Sequence, residues 1–265
     1  MNEKTLFIII NNGWEARNIL RTDTFKILKE NLGKIIILLT KPTEDYFIEE
    51  FEKDNVIIKG VDFKENPIEN RLRWFRENFL SKPILNNTLN SKNEELRQKY
   101  PLLKKITIPL NYIYNFHPVI DKWWLAFYDF IFPKKEIKNL FNEYKPSCVI
   151  GSTFGFAKVD AKIYRYAKKK KTRTISIILS WDNITSKSQR IAAKPDKIIA
   201  WGEIMKKEAI KYLGYSTNDV FVEGVAHFDI YGSNNDIKSK EMFFEENKLD
   251  LNKKLLIYGT VSPNL

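Results

Sequence analysis

The run Leu6-Phe7-Ile8-Ile9-Ile10 is short and continuously apolar, the pattern of a strand buried on both faces of a parallel sheet. Asn11-Asn12-Gly13 breaks it. From Glu15 to Asn31 the apolar residues Ala16, Ile19, Leu20, Ile27 and Leu28 return at helical spacing, and Gly33 stands where a helix C-terminus favours glycine. The rhythm repeats with a strand over Ile35 to Leu39, a helix over Thr43 to Lys53, and a strand at Val56-Ile57-Ile58 before Gly60. Alternating strand and helix predict right-handed crossovers and a parallel sheet. Pro67 to Tyr100 reads as mostly helical, with a break at Lys82-Pro83 because proline disfavours helix in the residue before it.

From Lys145 the alternation resumes, with a strand at Cys148-Val149-Ile150, a helix over Ala157 to Lys171 and a strand over Thr174 to Leu179. Further strands are expected at Lys197 to Ala200 and Val220 to Val222, with a helix over Glu203 to Leu213 that stops at Gly214. The predicted fold class is therefore α/β, a Rossmann-like open parallel sheet flanked by helices. That domain is expected over residues 1–232, followed by a linker with one helix over 233–252. Residues 253–265, with Lys254 to Thr260 as a strand, read as the first strand of an incomplete C-terminal domain.

Composition narrows the setting. The chain has 265 residues of which 43% are hydrophobic, enough for a core without covalent staples. The single cysteine, Cys148, sits in an apolar run and reads as a core thiol, which fits a reducing, cytoplasmic compartment. The apolar run Leu6 to Ile10 is too short for a signal peptide, and none approaches the roughly 20 apolar residues of a spanning helix. The net charge of +11 favours contact with phosphate, nucleic acid or an anionic membrane surface, with a coding bias toward Lys, Asn and Ile as the alternative, and nucleic acid is not among the expected partners.

Three segments that follow strands hold candidate chemistry. In the first, Gly13 lets backbone approach a ligand at the carboxyl end of a strand. Asn12, Trp14, Glu15 and Arg17 lie beside it, where open α/β sheets bind ligands. The spacing is not G-x-G-x-x-G, which disfavours a dinucleotide, and a plain strand-to-helix turn is the alternative. The second segment, Gly151-Ser152-Thr153-Phe154-Gly155, offers small residues that can close on a ligand but lacks the Lys-Ser/Thr of a P-loop. In the third, Ser180-Trp181-Asp182-Asn183, Asp182 is the best-placed general base and Trp181 and Asn183 are candidate substrate contacts. The competing reading makes Asp182 and Asn183 a turn cap and places Trp181 in the core. His117 is a further candidate base or contact. With two histidines and no Asp-x-Asp pair, neither a metal site nor a cofactor is expected.

The basic cluster Lys162, Arg165, Lys168 to Lys171 and Arg173 reads as a solvated helix end, with membrane attraction as the alternative. The aromatic stretch Trp123 to Phe132 is expected to pack in the core or between domains. Trp and Tyr beside Lys134 and Lys135 would also suit a membrane interface.

The order of motifs over 145–231, with Gly151-Ser152-Thr153, Ser180-Trp181-Asp182-Asn183, Pro195-Asp196 leading to Trp201-Gly202, and Gly224 to Phe228-Asp229, resembles a known family. It is similar to the latter part of the N-terminal domain of GT-B type glycosyltransferases of bacterial surface-carbohydrate assembly, and of the related nucleotide-sugar 2-epimerases. The resemblance implies an acceptor-binding half. Its acceptor would be a carbohydrate or lipid-linked molecule, and a nucleotide-sugar donor would be held mainly by a C-terminal domain of which only one strand is present. Asp182 or Glu15 would deprotonate the acceptor while Asn12 and Gly13 lie near the donor diphosphate. A 2-epimerase-like enzyme and a non-catalytic protein that docks on a membrane or a complex are the alternatives.

Overall fold

A computed structural model describes residues 4–40, 45–61, 65–80, 86–116, 118–187, 191–231 and 238–259. The chain divides into two compact units, Met1–His227 and Phe228–Leu265. The first unit opens with β1 (Thr5–Ile10), α1 (Gly13–Leu20), α2 (Asp23–Asn31), β2 (Lys34–Leu39), α3 (Asp45–Phe51) and β3 (Val56–Gly60). A helical section follows: α4 (Pro67–Phe79), α5 (Asn87–Lys99), α6 (Pro101–Phe116), α7 (Pro118–Ile131) and α8 (Lys135–Tyr144). The alternation then returns with β4 (Cys148–Gly151), α9 (Lys158–Lys169), β5 (Arg173–Ile177), α10 (Asn183–Lys187), β6 (Lys197–Ala200), α11 (Glu203–Leu213) and β7 (Val220–Val222).

Among the described residues the strands form one seven-stranded sheet in the order β3-β2-β1-β4-β5-β6-β7. Every pairing is parallel, with Leu6 opposite Ile35 and Cys148, and Ile175 opposite Lys197. The fold is thus α/β and Rossmann-like, as the apolar runs predict. Because side chains alternate along a strand, each run feeds two layers. Leu6, Ile8 and Ile10 join Ile19, Phe25, Phe47 and Phe51 of α1 to α3 on one face, while Phe7 and Ile9 meet Phe141 of α8 and Ile163 and Tyr164 of α9 on the other. Burying a large apolar side chain stabilises by about 1.5–3 kcal/mol, so these runs dominate the fold.

Several elements differ from expectation. The single helix over 15–31 is two, because Thr22 takes extended backbone and its hydroxyl donates to the Ile19 carbonyl at 2.8 Å, closing α1 and opening α2. Lys254 to Gly259, expected as a strand, forms none, since a strand exists only where a ladder partner pairs with it. In that second unit α12 (Lys240–Glu246) is capped by Ser239, whose hydroxyl accepts from Met242 N at 3.2 Å. The expected helix break at Lys82-Pro83 lies outside the described residues.

The basic cluster on α9 is not uniformly solvated. Lys168 to Lys171 are exposed, but Lys162 is buried and pairs with the buried Glu69 of α4. Arg165 binds Asp129 of α7 through two hydrogen bonds of 2.7 and 2.6 Å, and Arg76 of α4 binds Asp121 of α7 at 2.9 and 3.0 Å. Burial alone would raise the Glu69 carboxyl; the hydrogen bond and charge of Lys162, with Lys134 behind it, override that and hold it below its ordinary value. The aromatic stretch follows the core reading only in part: Tyr128 is buried, but Trp123 is 74%, Phe127 60% and Phe130 81% exposed.

Glycine is required where β4 ends against α9. A Cβ on Gly151 would run into the Tyr164 hydroxyl and lie 3.0 Å from Asp160 Oδ2, and Tyr164 is fully buried and cannot swing away. Gly151→Ala is expected to lower unfolding stability by about 1–3 kcal/mol through overpacking, read as a fall in the urea midpoint with an unchanged slope. An unaltered midpoint would show that Tyr164 moves freely.

Candidate functional site

The sheet winds in opposite directions from β1 and β4, so the crevice of an open α/β sheet lies outside their carboxyl ends. Asn12 caps α1, its side-chain oxygen accepting from Glu15 N at 3.0 Å. Glu15 reaches back as in a capping box, accepting from Asn11 N at 2.7 Å and from the Asn12 amide at 3.1 Å. Across the crevice Asp160 occupies the equivalent third position of α9. It accepts from Thr153 N at 3.1 Å and Thr153 Oγ1 at 2.7 Å. The Asn11 amide joins the two sides, donating to Glu15 Oε2 at 3.0 Å and to Asp160 Oδ1 at 2.9 Å.

Both carboxylates are buried, and this sets their charge. Burial raises Glu15, against the lowering effect of the Asn11 backbone and of the Ser152, Asn11 and Asn12 side chains. Asp160 is pushed up to about 7, first by burial and then by the negative charge of Glu15, although Asn11 and Thr153 oppose it. Burial is the first cause at both carboxyls, and the group that lies between them is the Asn11 amide. Ser152 Oγ is buried beside them without a well-formed hydrogen bond.

Above this floor the rim is open. Asn12, Gly13, Trp14 and Arg17 are exposed, with Arg17 Nε donating to Asn18 Oδ1 at 3.2 Å. Ser152 and Thr153 lie in the floor, and Phe154 is wholly buried among Ile178, Ile184 and Ile198, where it offers no surface. Gly155, at φ +95, passes against the Ala193 carbonyl where no side chain fits, and its own carbonyl accepts from Ala192 N at 3.1 Å.

The third loop follows β5, the strand beside β4. Asp182 accepts from the Ser180 hydroxyl and from Ser186 Oγ at 3.1 Å, and its carbonyl takes Ser186 N at 2.9 Å, so it organises the first turn of α10. Burial pushes its carboxyl up, but those hydroxyls and the Lys187 charge together hold it below its ordinary value. Trp181 is 71% exposed rather than in the core, while Asn183 is buried and accepts from Lys187 Nζ at 2.9 Å. The first and second loops therefore share one hydrogen-bonded network, and the third lies on the same sheet edge without joining it. His117 lies outside the described residues.

Asp160 and Asn11 were not among the sequence candidates. The signal was present: Asp160 falls in register with Ile163, Tyr164 and Ala167, which puts a carboxylate on the buried face of α9. Among the described residues no cluster of His, Cys, Asp and Glu is arranged to hold a metal ion.

No protein-family model matches the chain, and no curated protein matches it significantly. Seven chains of solved structures match. One is a UDP-N-acetylglucosamine 2-epimerase from Rickettsia bellii, with 12% identity and a TM-score of 0.46, covering 94% of this chain and 52% of that one. The chain spans about half the length of that structure. A likeness of this degree carries no weight on function.

The raised Asp160 carboxyl has a measurable consequence. A carboxyl raised in the folded state, from about 3.9 when unfolded to about 7, stabilises the fold below pH ~4, and that contribution is lost as pH rises to ~7. Unfolding free energy from urea titrations is therefore expected to fall by on the order of 2–4 kcal/mol across that range, and Asp160→Asn is expected to flatten the slope. A wild-type slope that survives in Asp160→Asn would place the titrating group elsewhere.

Proposed function

We propose that this chain is the acceptor-side domain of a glycosyltransferase that moves a sugar from a nucleotide-sugar to a surface-polysaccharide or lipid-linked acceptor. The observation that carries this reading is the crevice at the carboxyl edge between β1 and β4, where a buried Glu15–Asn11–Asp160 network holds two helix N-termini beneath an exposed rim. The resemblance of the motifs over 145–231 supports it. In this reading Asn12 and Gly13 offer backbone and the N-terminal end of α1 to a diphosphate, and Arg17 adds a cation. Trp181 gives a flat apolar surface for a sugar ring.

Of the two candidate bases, Asp182 is the one that reaches solvent, and Glu15 is committed to its cap. Asp182 is thus assigned to the acceptor hydroxyl: held ionised, it orients the hydroxyl by accepting its hydrogen bond and takes the proton as the hydroxyl attacks. Glu15 and Asp160 act as positioning residues for the rim.

The test is transfer of a labelled sugar by the full-length protein. Asp182→Ala is expected to reduce kcat by about 10²–10⁴-fold with folding intact by circular dichroism. An unchanged rate removes Asp182 from the chemistry. Release of free sugar and nucleoside diphosphate without any acceptor would favour the epimerase-like alternative.

A further inference from the structure

Helix α7 is built inside out. Of its outward positions Val119, Trp123, Phe127 and Phe130 recur at i, i+4, i+8 and i+11, and with Ile120 and Ile131 flanking them they form an apolar stripe along all of its turns. Lys122 and Ala126 are the other exposed residues on that side. The acids of the helix are paired, Asp121 with Arg76 and Asp129 with Arg165, the Asp129 side chain staying 41% exposed on the flank it shares with Lys122. The centre of the outer face is therefore aromatic and apolar, with Lys122 at its edge and the nearest carboxylate already matched by an arginine. The neighbouring helix α6 has no acid in its sequence, and it exposes Leu102, Lys105 and Ile106.

A contiguous exposed apolar patch of this kind marks an interaction surface. Charge decides between its occupants. A second copy of the chain would bring another +11 to a face that already carries lysine, and would be repelled. An anionic bilayer is complementary in both respects, because Trp and Phe enter the headgroup boundary while Lys122 and Lys105 meet lipid phosphates. Length agrees as well. At 14 residues α7 is about 21 Å long, too short to cross a bilayer but suited to lying in its surface, and among the described residues no helix is long and apolar enough to cross a membrane. We propose that the outer face of α7 docks this protein on an anionic membrane surface, with Trp123, Phe127 and Phe130 inserted and Lys122 at the headgroups.

This inference does not depend on the glycosyltransferase reading, and its test uses no activity. The full chain is mixed with vesicles of phosphatidylcholine alone and of phosphatidylcholine with phosphatidylglycerol, then floated on a density gradient at low and high salt. Binding to the anionic vesicles at low salt is expected, with a marked fall at high salt through screening. The exposed-site variant Trp123→Ala/Phe127→Ala/Phe130→Ala should lose about tenfold or more in vesicle affinity, and Lys122→Glu should weaken binding on anionic vesicles alone. Thermal melts confirm that both variants fold, which exposed positions allow. Failure of the folded wild-type chain to float with anionic vesicles at low salt overturns the proposal, as does equal flotation of the triple variant. A concentration-dependent dimer that the triple variant abolishes, without vesicle binding, would assign the face to self-association and overturn it equally.

Discussion

The Asn11 side-chain amide has two hydrogens, and it spends one on Glu15 and the other on Asp160. A neutral donor between two buried carboxylates satisfies their lone pairs without cancelling their charge, so burial and the charge of Glu15 push Asp160 toward its neutral form. Magnitudes decide this. Each carboxylate stands at the positive end of a helix, which favours its charge by about 0.3–1 kcal/mol and at most ~2. Removing an ion from water costs several kcal/mol even after relaxation. Burial wins at Asp160. The network ties the first turn of α1 to the first turn of α9 across the β1/β4 crossover, and everything else at the carboxyl edge is placed relative to those two helix ends.

The opposite solution holds the other side of α9. There the buried carboxylate of Glu69 is matched by Lys162, Tyr128 also donates to it at 3.2 Å, and full charges persist because an opposite charge lies in contact. The same helix thus carries a buried carboxyl pushed toward its neutral form at Asp160 and an ion pair on its opposite face two residues on, at Lys162. Arg165, one further turn along, extends the network to α7 by taking Asp129. Pulling the acids of α7 toward arginines on α4 and α9 fixes which way that helix faces, and Trp123, Phe127 and Phe130 are left outward as the residual.

What the sequence made legible follows the same division. The strands were readable because a run such as Ile35 to Leu39 is apolar at every position, which only burial on both faces explains. The end of α11 was readable because Gly214 takes a left-handed conformation, φ 64, that favours glycine. The orientation of α7 was not, since a helix with aromatics on several faces has no period that names its buried side. Arg76 lies 45 positions from Asp121 and Arg165 lies 36 from Asp129, and no local pattern connects them. Asp182 presents a milder case: its flanking serines were in plain view, and they make it the anchor of α10 as well as a candidate for chemistry.

The division of labour at the crevice follows from exposure. Glu15, Asp160 and Thr153 are buried and joined, with Asn11, in one hydrogen-bonded network, and Ser152 is buried beside them, so they can set the position and charge of a surface without being that surface. In the proposed reading a ligand meets Asn12, Gly13, Trp14 and Arg17 on one side and Trp181 with Asp182 on the other. Burial and the nearby Glu15 favour the neutral form of Asp160, which lowers the negative charge of the floor. An anionic group at the amides that start α1 would then face less repulsion from beneath, with Arg17 attracting it from the rim. A floor with both acids ionised would repel the same group, so the burial of Asp160 favours the anion-binding role proposed for this sheet edge.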